Sequence, residues 1–423
     1  MIEFFHHAAY CSTALVVVMV VYQSILTTGA YFHRRRAANE KDRERPVWDQ
    51  YPPLTILVPA HNEEVVIERT VRTLLALRYP QGKLTLMVIN DASTDNTAAI
   101  LDRLHAENPH VIVYHRQKPD GGLGKAAALN AAARLVNDDY IAVYDADNCP
   151  EPNSLLMLMS RFIARPSLAA AVGKFRCGNK NQNFLTRCIN IEGLCFQGIV
   201  QAGRHMMLDI AFLTGTNYVI NRNILLKVGG WDEEALAEDS ELSTRLYMEG
   251  YRIDFVPCSQ SWEQEPETLG VWMKQRTRWA RGNNYAILKI IRTFPLSKDK
   301  VRTFENLFTL SMSYLFLVAI VLSQSSQILS LLGFCHITQE TLWLLCIWNV
   351  AALFYVAQIW HALALEKEAR PANLLAGFLM YFFYGYLWMA AILRALYHDV
   401  VVRKARHWDK TMRFETALET GNP

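Results

Sequence analysis

The chain has 423 residues, of which 51% are hydrophobic and 20% are charged, and its formal net charge is +3. That balance excludes a disordered chain and gives no electrostatic argument for a nucleic acid partner. The eight cysteines are scattered without a C-x-x-C pair, which favours a reducing compartment over a disulfide framework or a zinc site. A mean hydropathy of +0.05 fits a large aqueous domain joined to a minority of membrane spans.

Four apolar segments predict membrane helices, because each has at least the ~20 residues that cross a bilayer. They cover residues 8–32, 307–334, 341–365 and 373–397. Arg34, Arg35 and Arg36 follow the first segment, so we expect an uncleaved anchor with its N-terminus outside and the next domain in the cytosol. The alternative is a set of buried helices in a large soluble core.

The distribution of basic residues restricts the C-terminal region. Three full crossings after a cytosolic domain would place the basic tail, with Arg403, Lys404 and Arg406, outside. We therefore predict that one of the three segments is interfacial or re-entrant, although the sequence does not specify which. The predicted divisions are residues 1–45, a transmembrane anchor with a basic linker; residues 46–300, a cytosolic domain; and residues 301–423, a membrane region with a basic cytosolic tail.

Strand and helix patterns alternate along the soluble domain. Short apolar runs predict strands at residues 54–58, 84–90, 111–115 and 140–144, and helical periodicity predicts helices at 63–77, 97–106 and 125–136. This alternation predicts an α/β fold with a doubly wound, mostly parallel sheet. Ligands of such sheets bind outside the carboxyl ends of the strands, so the polar residues directly after each strand are the candidate site.

Two of these strand ends carry acids: Asp91 and Asp95 follow the second strand, and Asp145 and Asp147 follow the fourth. Asp-x-Asp at a strand end offers hard oxygen ligands for Mg²⁺ or Mn²⁺, which can in turn hold a diphosphate. The alternatives are a turn with helix capping for the first pair and a surface loop for the second.

A glycine-rich segment, GGLGK at residues 121–125, precedes a predicted helix. Its spacing is not that of the G-x-x-x-x-G-K-[ST] loop, and Ala126 follows the lysine, so we reject a nucleoside triphosphatase. Lys125 at a helix N-terminus can neutralise a diphosphate, or it can simply be solvated.

Several motifs together resemble one enzyme family. They are PAHNE at residues 59–63, Asp91, GKAAALN at 124–130, Asp145-x-Asp147, Glu238-Asp239 and Gln275-x-x-Arg278-Trp279. In this order and spacing the chain resembles the membrane-embedded, processive family 2 glycosyltransferases, which include the poly-N-acetylglucosamine, cellulose and hyaluronan synthases. The resemblance covers about residues 54–281, and the tail WDKTMR at 408–413 is similar to the ends of some of these synthases.

The resemblance implies a glycosyltransferase A-type nucleotide-sugar fold and a role for each matched residue. The implied donor-binding residues are Pro59, Glu63, Asp91, Lys125 and Asp145. Glu63 and Asp91 would lie at the base and ribose, and Lys125 and Asp145 at the diphosphate. Asp145 and Asp147 are the implied ligands of a Mg²⁺ or Mn²⁺ cofactor.

The same resemblance implies an acceptor side. Asp239, beside Glu238, is the implied general base that takes the proton of the acceptor hydroxyl. The implied clamp on acceptor and diphosphate consists of Gln275, Arg278, Trp279, Gly215 and Thr216, and residues 264–269 are the implied acceptor entrance. The alternatives are a helix N-cap for the acid pair and a core aromatic for Trp279. Ala237 replaces the family's usual Thr, which affects fine positioning rather than the chemistry.

The implied function is that of an inverting, processive glycosyltransferase. It would polymerise a sugar from UDP-N-acetylglucosamine or UDP-glucose into a β-linked exopolysaccharide and pass the chain through the bacterial inner membrane. The implied partners are the nucleotide-sugar donor, a growing polysaccharide or lipid acceptor, membrane lipid and a small accessory membrane protein, with no nucleic acid. Two alternatives remain: a single addition to a lipid acceptor, and a catalytically idle adaptor that binds a nucleotide or second messenger. The transferred sugar depends on pocket shape, which motif spacing does not reveal.

Overall fold

The computed structural model describes residues 2–40, 48–332, 339–403 and 411–414. One sheet forms the centre of the soluble part. Its strands are β1 (Leu54–Ala60), β2 (Leu84–Asp91), β3 (Val111–Arg116), β4 (Tyr140–Val143), β5 (Cys149–Pro150), β6 (Ala170–Cys177), β7 (Tyr218–Asn221) and β8 (Ile253–Glu263). Their order across the sheet is β3-β2-β1-β4-β7-β6-β8-β5.

The described helices surround this sheet and extend away from it. They are α1 (Ile2–Glu40), α2 (Ile67–Leu75), α3 (Thr97–Glu107), α4 (Lys125–Leu135), α5 (Ser154–Ala164), α6 (Phe184–Cys195), α7 (Ala202–Leu208), α8 (Arg222–Lys227), α9 (Glu238–Met248), α10 (Leu269–Thr293), α11 (Lys300–Leu331), α12 (Gln339–Leu365) and α13 (Pro371–Leu396). A π-helical segment, Phe196–Gln201, joins α6 to α7, and another, Tyr397–Val401, follows α13.

The first half of the sheet is parallel. β1 pairs in parallel with β2 and β4, and β2 pairs in parallel with β3, so the predicted α/β fold with a doubly wound sheet is confirmed. The second half makes the sheet mixed, because β7 runs antiparallel to both β4 and β6. Tyr218 at the start of β7 pairs with Val143 at the end of β4. The loop before β7 therefore lies at the same edge as the acids that follow β4.

Helices cover both faces of the sheet. Along β1, Ile56 belongs to a core cluster with side chains of α2, α3 and α5, whereas Leu57 belongs to a second cluster with side chains of α4 and α9. Successive strand residues point to opposite faces, and both of these residues are fully buried. The strands are accordingly apolar on both sides, which is why they appear in the sequence as continuous rather than alternating runs.

Four helices are long and apolar enough to cross a membrane. Their candidate spans are His7–Arg36, Lys300–Ser325, Cys346–Leu365 and Pro371–Val401. Each predicted apolar segment thus forms a helix, although residues 333 and 334 of the second predicted segment lie outside the described residues. Lys404 and Arg406 of the predicted basic tail lie outside them as well.

Three of these helices have one end at the sheet domain. His33 near the end of α1 hydrogen-bonds His205 at 2.9 Å, Arg302 at the start of α11 donates to the carbonyl of Leu208 at 2.8 Å, and Glu366 after α12 accepts from Lys174 at 2.6 Å. These contacts fix which end of each helix faces the domain.

The fourth helix, α13, contacts the domain near both of its ends. Asn373 near its start accepts a hydrogen bond from Arg187 at 2.7 Å, and Asp399 just beyond its end accepts one from Arg281 at 2.7 Å. The face of α13 turned away from the domain carries exposed apolar side chains at helical spacing: Leu375, Phe378, Phe382, Tyr386, Leu393 and Tyr397. One face of α13 is therefore packed on protein and the other is apolar and uncovered.

Candidate active site

A cavity of about 740 Å³ opens at the carboxyl ends of β1, β2 and β4. Side chains of the sheet domain line one part of it, and side chains of α1, α11 and α13 line another. All but one of the predicted site residues line this cavity: Pro59, Glu63, Asp91, Lys125, Asp145, Asp147, Gly215, Glu238, Asp239, Gln275, Arg278 and Trp279. The fold thus gathers residues that are widely separated in the sequence.

Lys125, the first residue of α4, lies among the acids of the cavity. Its Nζ is 2.6 Å from Asp145 Oδ1 and 3.3 Å from Glu238 Oε1, and it donates to the carbonyl of Gly215 at 2.8 Å. Burial alone would lower the pKa of Lys125, but the charges of Asp145 and Glu238 outweigh burial and raise it. Lys125 is therefore a fixed positive charge at the end of β4.

Gly215 lies in the loop before β7 and brings two polar groups together. Its φ is +79°, and a Cβ at this position would lie 3.2 Å from Asp239 Oδ2 and 3.4 Å from Lys125 Nζ. Glycine adopts this backbone conformation without steric cost and leaves room for the close approach. The loop can therefore pass between the lysine and the acid.

Thr216 is the predicted clamp residue that lies behind the cavity wall. It is 1% exposed. Its hydroxyl donates to Asn148 Oδ1 at 2.7 Å and accepts from the backbone N–H of Asp145 at 3.1 Å. These bonds shape the turn that presents Asp145, so in this structure Thr216 acts on the acid pair rather than facing an acceptor.

The C-terminal tail holds the second acid of that pair. Arg413 Nη2 donates to Asp147 Oδ1 at 2.9 Å, and Arg413 Nη1 lies 2.9 Å from Asp147 Oδ2. The side chain of Gln264 binds the backbone of Phe414 through two hydrogen bonds, of 2.8 and 2.7 Å. Residues 411–414 thus dock on the segment that was predicted as the acceptor entrance, whereas Trp408 and Lys410 of the tail motif lie outside the described residues.

Asp145 and Asp147 offer a divalent cation a pair of carboxylates, whose oxygens Mg²⁺ and Mn²⁺ prefer, but both acids are paired with basic side chains in this structure. Lys125 Nζ lies 2.6 Å from Asp145 Oδ1, and Arg413 contacts both oxygens of Asp147, so a bound cation would take the place of these contacts. Burial and then the charges of Glu265 and Asp147 raise the pKa of Glu263 well above its ordinary value. This wall of the cavity therefore favours additional positive charge.

Asp91, at the end of β2, is paired with a residue that the motif analysis missed. Arg116 Nη1 lies 2.6 Å from Asp91 Oδ1, and both side chains are buried. Arg116 directly follows the predicted third strand, so its place at the same sheet edge was the only signal for it. Asp95 instead accepts from the backbone N–H groups of Thr97 and Glu64 at 3.0 and 3.2 Å. Asp95 therefore shapes the turn and the helix start, as the alternative interpretation had it.

Glu238 and Asp239 are the first two residues of α9. The backbone N–H of Ser240 donates to Asp239 Oδ1 at 2.7 Å. Burial, and then the charge of Glu238, raises the pKa of Asp239 to about 7. A carboxylate with this pKa can accept a proton near neutral pH, as a general base must. The preceding Ala237 packs against Gly282 of α10, where an added Cβ would lie 2.5 Å from that of Ala237, which gives a physical reason for a small residue at 237.

The predicted clamp residues of α10 line the cavity together. Arg278 Nη1 donates to the carbonyl of Leu236 at 3.4 Å, close to the start of α9. Gln275 Oε1 accepts from Arg276 at 2.8 Å, and the guanidinium of Arg276 lies 4.0 Å from the ring centroid of Trp279. Motif spacing gave no reason to single out Arg276, because the acid that it pairs with, Glu192, lies on another helix, α6.

Another group that could hold a cation lies outside the cavity lining. Ligand atoms of His205, Asp209 and Asp254 all lie within 4.8 Å of one another. Asp254 is fully buried and accepts from Arg161 at 2.7 Å, from Arg165 at 2.8 Å and from His205 at 2.9 Å. Because two guanidinium groups already balance these acids, we interpret the cluster as an ion-pair network that joins α5 and α7 to β8.

The comparisons with known proteins agree with this geometry. The sequence profile of the family described as "Glycosyltransferase like family 2" matches residues 52–282. Probable glycosyltransferase YdaM of Bacillus subtilis (strain 168) is 38% identical over 381 residues, which are 88% of this chain and 90% of that protein. Poly-beta-1,6-N-acetyl-D-glucosamine synthase of Staphylococcus aureus (strain COL) is 29% identical over 276 residues, which are 64% of this chain and 65% of that protein.

A solved structure shares the fold. It is the mannosyltransferase PcManGT from Pyrobaculum calidifontis in complex with GDP-Man and Mn²⁺, with a TM-score of 0.55 and 21% identity, and the match covers 88% of this chain and 99% of that chain. The chain belongs to the family 2 glycosyltransferases. The predicted enzyme class and the glycosyltransferase A-type fold are thereby confirmed.

Proposed function

We propose that this glycosyltransferase extends a polysaccharide at the cytosolic face of a bacterial inner membrane, using a UDP-linked sugar, and passes the product between its membrane helices. The observation that carries the proposal is the course of the cavity. It includes Asp145 at the strand ends, Asp239 at the start of α9, Trp279 on α10, and Tyr22 and Thr309 on α1 and α11. A donor site, a base and a route for a long product are thus continuous.

The lining beside the membrane helices suits a sugar chain. Tyr22, Gln23, Thr309 and Ser313 contribute polar groups, Trp388 contributes an aromatic ring, and Leu310 and Met312 contribute apolar surface between them. Sugars offer hydroxyls for hydrogen bonds and apolar faces for stacking on aromatic rings, whereas a lipid tail needs neither. This lining favours a growing polysaccharide over a lipid as the acceptor.

The chain's own residues support an inverting transfer. Asp239 takes the proton of the acceptor hydroxyl while that oxygen attacks the anomeric carbon from the side opposite the departing nucleoside diphosphate. Lys125 and Arg278 balance the charge of the diphosphate as it leaves. A divalent cation held by Asp145 and Asp147 would supply further neutralisation of the leaving group.

The helix contacts support one topology. The end of α1, the start of α11 and the end of α12 all lie at the sheet domain, so these three helices cross the membrane with the domain on one side. α13, which contacts the domain near both ends, lies along the membrane surface as the interfacial segment. The basic tail then stays in the cytosol, as the charge rule requires.

The direct test is to incubate membranes that contain the chain with UDP-N-acetylglucosamine and UDP-glucose in turn and to size the product. UDP-N-acetylglucosamine is the first donor to test, because one relative is named as a poly-N-acetylglucosamine synthase. A long polymer supports the proposal. A single sugar on a lipid would favour the single-addition reaction, and the absence of UDP release with either donor would contradict a UDP-linked reaction.

The cation has its own test. Excess EDTA should abolish transfer, and Mg²⁺ or Mn²⁺ should restore it, because a cation held by Asp145 and Asp147 would neutralise charge on the leaving diphosphate. Full activity in excess chelator would contradict this role.

A further inference from the structure

Arg276 is buried within the clamp motif and contacts two of its residues. It is 1% exposed. Its Nη1 donates to Gln275 Oε1 at 2.8 Å, and its guanidinium carbon stands 4.0 Å from the ring centroid of Trp279. At this distance a cation packs against the face of an indole. Arg276 thus covers one face of Trp279, and the rest of the ring is available to the cavity that it lines.

Glu192 on α6 holds Arg276 in this place. Its Oε2 accepts from Arg276 Nη2 at 2.8 Å and from the hydroxyl of Tyr384 at 2.7 Å, and its Oε1 accepts from the indole N–H of Trp388 at 2.8 Å. The hydroxyl of Tyr384 in turn accepts from the indole N–H of Trp272 at 3.1 Å. Three donors on one carboxylate fix its orientation, and charge-assisted bonds of this kind are strong.

We propose that Arg276 is a positioning residue for the glycan acceptor. Glu192 fixes Arg276, and Arg276 fixes the plane of Trp279 and the amide of Gln275, against which the acceptor end of the sugar chain binds. The inference rests on the proposed function, since it concerns the acceptor side of that reaction. Two of the three donors to Glu192, Tyr384 and Trp388, belong to α13. These two side chains link the middle of α13 to the clamp motif through Glu192.

Arginine is suited to this task in a way that lysine is not. Its guanidinium is planar, so it can stack on Trp279 while its nitrogens point in fixed directions to Glu192 and Gln275. A lysine ammonium is a point charge on a flexible stem and cannot hold both geometries at once. Burying a charge is also costly unless it is paired and hydrogen-bonded, and here the pairing partner is supplied by another helix.

The test measures acceptor and donor kinetics separately. The acceptor probe is a β-1,6-linked N-acetylglucosamine pentasaccharide, and the donor is UDP-N-acetylglucosamine. Arg276→Met keeps the length and the apolar stem but removes the planar cation. It should raise KM for the pentasaccharide roughly 10-fold and leave KM for the donor within about 2-fold, because it releases Trp279 without touching the diphosphate site. Arg276→Lys should also raise the acceptor KM, since it keeps the charge and loses the plane.

A double-mutant cycle separates positioning from general stability. In a Trp279→Ala background, Arg276→Met should change the acceptor KM by less than about 2-fold, because the ring that Arg276 positions is already absent. Tyr384→Phe removes one donor to Glu192 from behind the cavity wall, and it should raise the acceptor KM about 3-fold. If Arg276→Met does not fold, Tyr384→Phe is measured in its place.

Arg281→Met is the matched control. Arg281 lies on the same helix, is 5% exposed and pairs with Asp399 beyond the end of α13 at 2.7 Å, yet it does not line the cavity. This variant should leave the acceptor KM within about 2-fold of wild type. An equal effect of Arg281→Met, a parallel rise of donor and acceptor KM in Arg276→Met, or full additivity with Trp279→Ala would overturn the inference. A wild-type protein that neither binds nor extends the pentasaccharide would overturn the proposed reaction itself.

Discussion

Gly215 lies beside both the proposed base, Asp239, and the buried cation, Lys125. A Cβ on Gly215 would stand 3.2 Å from Asp239 Oδ2, so the position of the carboxylate depends on the absence of a side chain in the loop before β7. Lys125 touches the same loop through the carbonyl of Gly215 at 2.8 Å. We therefore expect an added methyl group at Gly215 to displace both Asp239 and Lys125.

Gly215→Ala tests this packing. The added methyl group should displace Asp239 and lower transfer at least about 10-fold, because a misplaced base loses most of its effect. Gly82→Ala is the matched control, since Gly82 has a similar φ of +75° and nothing within 4 Å of its added Cβ. Both variants should lose about 1–2 kcal/mol of stability from the left-handed backbone, but only Gly215→Ala should lose activity. Equal activities would show that the loop does not control Asp239.

The raised pKa of Asp239 predicts a pH dependence. Burial and Glu238 raise this pKa to about 7, so the carboxyl is protonated, and inactive as a base, at lower pH. We expect kcat/KM to fall about 10-fold per pH unit below 7 and to level off above it, because kcat/KM reports the free enzyme. The pKa of Glu265, another cavity residue, is also raised to about 7. In Glu265→Gln the pH at which kcat/KM begins to fall should not change. A shift of that pH in this variant would assign the pH dependence to Glu265 instead of Asp239.

The sequence predicts which acids gather in the cavity, but it does not predict the side chains that pair with them. The strand-end acids could be found because the carboxyl ends of parallel strands share one edge. Their partners could not: Arg116 reaches Asp91 from 25 positions away, and Arg413 reaches Asp147 from 266 positions away. Such pairings depend on the packing of separate elements, which a local pattern does not encode.

The sequence did not specify which C-terminal apolar segment fails to cross the membrane, and the contacts of α13 make it the candidate. By length and composition it is like the other apolar helices, and the charge rule indicated only that one of the three C-terminal segments does not cross. Its contacts with the domain near both ends distinguish it from α11 and α12. The strands β1 to β4, by contrast, begin at the predicted residues, because a buried strand has a strong apolar signal with polar residues at each end.

Cysteine labelling tests the proposed interfacial position of α13. In a cysteine-free background, Ala369→Cys before α13 and Val402→Cys beyond it should both resist a membrane-impermeant maleimide in intact cells and react after permeabilisation. Leu332→Cys, at the outer end of α11, is the positive control and should react in intact cells. Labelling of Val402→Cys but not of Ala369→Cys from outside would mean that α13 crosses the membrane.

The whole molecule joins a nucleotide-sugar fold to membrane helices through one cavity. The domain supplies the acids, including the proposed base, and α1, α11 and α13 supply the rest of the wall. The family and the fold could be predicted from motif order, since most of the motifs lie at a strand end or a helix start; Gln275-x-x-Arg278-Trp279, inside α10, is the exception. The continuity of the cavity could not, because it depends on how α13 and the tail residues 411–414 pack against the domain.

The central claim is that Asp239 is the base of a sugar transfer, and Asp239→Asn tests it most directly. Asn keeps the size of the side chain but cannot accept the proton, so turnover should fall roughly 10²–10⁴-fold. UDP binding, measured by calorimetry on the purified protein, should stay within about 2-fold, because Asp145 and Lys125 are unchanged. If Asp239 only supported the start of α9, Asn would serve nearly as well. A purified variant that keeps more than about a tenth of wild-type turnover would contradict the account, since even weak general-base effects are larger than that.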